Sequence, residues 1–388
     1  MKRILKVVFF LIILSVAPIV LAQEDKILIG SSSALTGHAR FLGSEYIKGA
    51  KAYISKINEQ GGIGGKKIEL ISLDDGYDPA RCAENTLRLI NNDKVFVLFN
   101  YVGTPTTVYV LPLINSNKIP LLGIFSGALS LREPFNLYLI NIRAPYQKEI
   151  SEFIKHCIED LRVKKIAVLY QYDAFGMDGL KATEAALLKY NMTIAAEANY
   201  KRGTLEVEEA VNTIKNSAAE VVIMVGTYSP VAKFIKSCKN NGYNPLFYTV
   251  SFIGTEALLK ELETDAVNVI ISQVVPSPVG DKFPAVLEFK DILSKYSSES
   301  QPTFGSFEGF INAKVLVEAL KRCIGLDRDS FIKSVESIKD FDAGIGANIT
   351  FGPGDHQGLD KVYFTIFSNG KLMPLENWQG LAATIKKD

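Results

Sequence analysis

Histidine is scarce in this chain of 388 residues: only His38, His156 and His356 are present. None lies in a nucleophile elbow, a metalloprotease helix or a comparable signature. No catalytic centre is therefore written in the sequence, and an enzyme would need a dyad assembled from distant segments. Charge of one sign is lacking too, with 43 Lys and Arg against 42 Asp and Glu. Nothing in that balance supplies the positive field that holds nucleic acid. Gly and Pro number 29 and 15, too few for a low-complexity or collagen-like chain. The four cysteines, Cys82, Cys157, Cys238 and Cys323, are far apart and form no CxxC or Cys/His cluster. That spacing excludes a zinc or redox motif and implies no metal or cofactor. Each falls in or beside a helix-like stretch, where a buried free thiol is expected, while a Cys157–Cys238 pairing stays open. Apolar residues make up 47% of the chain, enough to bury the cores of two ordinary domains.

Long hydrophobic runs are missing except at the start. Lys2, Arg3 and Lys6 precede Val7–Leu21, which carries no charge, and Val20-Leu21-Ala22 provides a peptidase site before Gln23. The run is shorter than the roughly 20 residues that span a bilayer comfortably, and Pro18 interrupts it. Residues 1–22 therefore read as a cleaved export signal. With Lys2, Arg3 and Lys6 removed, 40 basic residues face 42 acidic ones.

From residue 26 the chain alternates between strand and helix patterns. Lys26–Ser31, Lys67–Leu73, Val95–Phe99, Leu121–Phe125, Lys165–Tyr170, Val221–Val225 and Leu246–Val250 are short apolar runs suited to strands buried on both faces. Ile47, Ala50, Ile54 and Ile57 recur at helical spacing, and Asp78-Pro79 opens a further helix as cap and first residue. Further helices are expected near Thr106–Asn117, Gln147–Asp160, Gly179–Tyr190, Val207–Asn216, Pro230–Asn240 and Ala285–Tyr296. This alternation predicts an α/β protein with parallel sheets. Breaks at Arg143-Ala144-Pro145-Tyr146 and at Pro276-Ser277-Pro278 divide the strands into two series, and Asn348–Phe351 and Lys361–Phe367 close the chain.

Ligands of open α/β sheets sit beyond the carboxyl ends of the strands, which directs attention to four loops. Asn100–Thr107 and Phe125-Ser126-Gly127-Ala128 follow successive strands and offer backbone N–H groups and hydroxyls to an anion. Tyr172–Gly176 and Gly226–Pro230 occupy equivalent places in the second series and can supply an aromatic wall or ordinary helix contacts. Gly61–Gly65 with Lys66 has the wrong spacing for a phosphate loop and reads as a helix stop. Asp74-Asp75 point to opposite faces of a strand, which favours capping bonds over a shared cation.

Several segments in order resemble one family: Ser33–Gly37, Ile57–Lys66, Asp74–Pro79, Ile166–Leu169 with Ala174–Gly176, and Gly305–Phe310. Together they are similar to type I periplasmic solute-binding proteins of the branched-chain amino acid ABC-transporter family. The resemblance implies two doubly wound lobes joined by three hinge crossings, the first from 23–143 and 273–348, the second from 144–272 and 349–388. It implies a periplasmic carrier without enzymatic activity, expected to be a monomer, that delivers a small branched-chain or other apolar amino acid to ABC permease subunits, with a non-amino-acid carboxylate or amide as the alternative ligand. A ligand sensor serving a membrane receptor would have the same chain architecture. The family's ligand contacts fall on Gly103, Thr104, Gly127 and Ala128, with Ser126 in the same loop, Leu42 over the ligand, and Phe175 and Tyr228 from the second lobe. Three departures stand out. Gly103 replaces the usual hydroxyl residue, and Leu129 replaces a Thr. The acidic partner of a ligand ammonium aligns with Ser251, leaving Glu308 either to substitute for it or to cap a helix. The cysteine pair of some members falls on Tyr77 and Val102, so that disulfide is absent.

Overall fold

The computed structural model describes residues 26–297, 301–368 and 371–385; the expected export signal, 1–22, lies outside them. Five strands, β1 (Ile27–Ser33), β2 (Ile68–Asp74), β3 (Val97–Phe99), β4 (Leu121–Leu122) and β5 (Leu139–Ile140), form one parallel sheet in the order β2-β1-β3-β4-β5. Its register is set where Ile27 pairs with Ile68 and Ile29 with Val97. The second sheet uses β6 (Ile166–Gln171), β7 (Ala196–Tyr200), β8 (Val221–Val225), β9 (Leu246–Thr249) and β10 (Val269–Gln273). Their order, β7-β6-β8-β9-β10, repeats that of the first sheet. A short antiparallel pair, β11 (Phe341–Asp342) and β12 (Asn348–Ile349), precedes β13 (Tyr363–Ser368) and β14 (Lys371–Pro374). These last two join the second sheet antiparallel beyond β10.

The central strands β3, β6, β8, β9 and β10 are buried along their full length. That is why they read as unbroken apolar runs, since helices cover both sheet faces. In each sheet the strand order reverses beside the first strand of its series, between β1 and β3 and between β6 and β8. Loops leaving those pairs diverge and open a crevice.

Two long helices of the first lobe, Arg40–Glu59 and Phe304–Arg322, pack against each other although they lie far apart in sequence. Two glycines let their backbones touch. A Cβ on Gly49 would lie 1.7 Å from the Ser306 carbonyl oxygen, and one on Gly309 would lie 2.0 Å from that of Tyr46. This close approach brings Leu42 and Glu45 on the one helix beside Glu308 on the other.

Several elements differ from the sequence expectation. The strand expected over Asn348–Phe351 is confined to Asn348–Ile349. The edge strand β7 and the helices Thr255–Leu262 and Trp378–Ile385 carry too weak an apolar pattern to stand out. All four cysteines are free, so Cys157 and Cys238 do not pair. Asp74 accepts from the N–H groups of Leu35, Thr36 and Gly76, and Asp75 from Ser32 Oγ and Tyr77 N, the capping role expected of them.

Candidate functional site

The loop after β3 turns at Gly103, whose φ is 101°, directly into the helix Thr104–Ser116. No side chain caps this helix, so its first N–H groups and their partial positive charge face the crevice. Thr104 Oγ1 lies 2.7 Å from Ser126 Oγ, and Ser126 Oγ accepts from Ala128 N at 3.2 Å. Gly127 is needed where it stands, because a Cβ there would meet the Tyr146 backbone nitrogen at 2.6 Å. Half-buried Arg132 donates to the carbonyls of Ser126, Ala128 and Arg143 and to Gln357, which pins this loop to two of the chain crossings. Burial lowers its pKa to about 10, leaving it charged at neutral pH.

A second group of expected residues gathers a short distance away. Leu42, Ser251 and Glu308 line a void of about 10 Å³, room for about one water, together with Phe41, Phe125 and Phe304. Glu308 does not cap its helix, since Thr303 does that. Instead its Oε1 lies 3.3 Å from Arg143 Nε, both side chains being buried. Arg143 also donates to Ser251 Oγ and stacks on the Phe125 ring at 4.6 Å. Burial, outweighing the pull of Arg143, raises the Glu308 pKa to about 7, and neighbouring Glu149 adds to the rise. Glu149 supplies the carboxylate missing from position 251: it accepts from Ser251 N, Ser251 Oγ and Ser272 Oγ.

Phe175 is buried against Tyr146 and Phe252, with ring centres 5.2 and 4.7 Å away. Tyr228 sits at the rim, edge-on to Phe41 across the lobes. Tyr172, from the same loop as Phe175, is exposed and takes no part in the wall. Thr104 is buried, its hydroxyl paired with Ser126 of the same lobe. The sequence reading missed Tyr77, Arg143, Tyr146, Glu149 and Phe252. A lone arginine flanked by apolar residues in Ile142-Arg143-Ala144 was the signal available for one of them.

A model of the periplasmic binding protein family matches residues 26–371. The chain belongs to that family. Among solved structures it is similar to a possible leucine/isoleucine/valine-binding protein from Rhodopirellula baltica, at 33% identity and a TM-score of 0.88, covering 92% of this chain and 98% of that one. A branched-chain amino acid ABC transporter structure from Thermus thermophilus with bound valine shares the fold, at 18% identity and a TM-score of 0.83, covering 94% and 100%. Leu/Ile/Val-binding protein homolog 7 of Brucella suis is 24% identical, over 94% of this chain and 95% of its own. These relatives are binding proteins, and the family works outside the cytoplasm.

In this periplasmic binding protein, two carboxylates of the second lobe hold backbone N–H groups of the first. Asp178 accepts from Leu129 N at 2.8 Å, and Glu256 from Phe304 N at 2.9 Å. Burial raises the Glu256 pKa to about 7 despite that bond. The folded protein thus holds protons that the unfolded chain releases near the ordinary glutamate value, so stability falls as pH rises from about 4.5 to about 7. Glu256→Gln is expected to flatten this decline in melting temperature, measured in steps across that pH window.

Proposed function

We propose that this chain is the solute-binding subunit of an ABC importer, exported through a cleaved signal at 1–22 and carrying a small apolar amino acid in the cleft. Its lobes, 23–143 with 273–348 and 144–272 with 349–388, open and close about the crossings to admit the ligand. The observation that carries this reading is the pairing of an uncapped helix start at Gly103-Thr104, suited to a carboxylate, with buried Glu308, whose Oε1 has no hydrogen-bond partner and suits an ammonium. Apolar walls from Leu42, Phe125 and Phe304 support an aliphatic or aromatic side chain. Because Arg143 already neutralises Glu308, a second reading is a carboxylate that lacks the ammonium.

The test is a thermal-shift series on protein that has been unfolded and refolded to strip bound solute. A ligand of the native state raises the melting temperature by mass action. L-leucine, L-valine and L-phenylalanine are compared with 4-methylpentanoate and 4-methyl-2-oxopentanoate. Shifts confined to the amino acids support the first reading, and shifts confined to the acids support the second. No shift with any of them overturns both. For a ligand that shifts the melt, Thr104→Ala is expected to weaken binding about tenfold by calorimetric titration while the protein stays folded.

A further inference from the structure

Tyr77 stands at the uncapped helix start for a reason visible in Gly103. A Cβ on Gly103 would lie 2.1 Å from Tyr77 Cε2, so the tyrosine ring occupies the space into which any side chain at 103 would project. The two departures noted in the sequence, a tyrosine at 77 and a glycine at 103, are therefore one exchange. Tyr77 is 1% exposed, with a left-handed backbone (φ 65°) held by the bond from its N–H to Asp75. Its hydroxyl is nevertheless buried without a hydrogen-bond partner, a costly state for a polar group unless a ligand completes it. From the second lobe, Arg202 approaches the ring at 5.9 Å and lies 3.9 Å from Asp173, which also accepts from Phe175 N, Gly176 N and Gln171.

Resting on the proposed function, we infer that the Tyr77 hydroxyl is the side-chain donor to the ligand carboxylate, in place of a hydroxyl at position 103. The uncapped helix start favours an anion there, so the phenol donates. Burial, the main influence, holds its pKa well above the ordinary tyrosine value and keeps that proton in place.

The experiment compares wild type with Tyr77→Phe, which keeps the ring and removes only the hydroxyl. Both are titrated with L-leucine and 4-methyl-2-oxopentanoate after refolding. The expected result is an affinity loss of roughly tenfold or more for whichever probes bind, with a ligand-free melting temperature equal to or above wild type. Equal affinity in the two proteins overturns the inference and leaves the proposed function standing. So does a loss confined to the amino acid, which would make Tyr77 an ammonium acceptor, or a lowered ligand-free melt, which would give the hydroxyl a structural partner. Wild type that binds neither probe nor any other ligand of the thermal-shift series overturns the proposed function and this inference together.

Discussion

Arg143→Ala is expected to destabilise the protein by about 3–5 kcal/mol, the cost of stripping one partner from a buried ion pair. Glu308 would remain buried without its ion-pair partner, and the loss of stacking on Phe125 adds to the effect. In a chain of this size the melting temperature should fall by about 5 °C. The double variant Arg143→Met, Glu308→Leu should recover most of that loss, because a buried pair exchanged for apolar side chains is often neutral or better. Denaturation of the single and double variants checks both halves. A double variant as unstable as Arg143→Ala would place the role of Arg143 in its bond to Ser251 instead.

Gly49→Ala is the second large effect expected. The new methyl group would stand 1.7 Å from the Ser306 carbonyl oxygen, a backbone atom that cannot swing aside. The helices Arg40–Glu59 and Phe304–Arg322 must separate, at a cost of about 3 kcal/mol, the upper end for an overpacked core. Separation also moves Glu308 away from Leu42, so ligand affinity should fall with stability. A thermal melt and a titration with the best ligand of the series measure the two. Unchanged stability would mean that the helix contact is looser than the structure has it.

Legibility in the sequence followed burial. Strands covered on both faces, such as β6 and β8, are continuous apolar runs and were readable within a residue or so. In the edge strand β7, Ala196–Tyr200, half-buried and exposed residues of low strand preference alternate up to buried Tyr200, and only pairing with β6 makes it a strand. The loops after β3 and β4 were legible because Gly, Ser and Thr mark a strand end and a helix start together. The partners distant in sequence were not, since Glu149 meets Ser251 across 102 residues of chain and Arg143 meets Glu308 across a longer gap still.

By itself, then, the sequence determined the α/β class, the two series of strands and the loops that bound the crevice, because these depend on local periodicity and turn chemistry. Only the tertiary structure decided which charges face one another in that crevice. Such contacts depend on how two lobes close and on where Gly49, Gly103 and Gly309 let atoms approach, which no local pattern encodes.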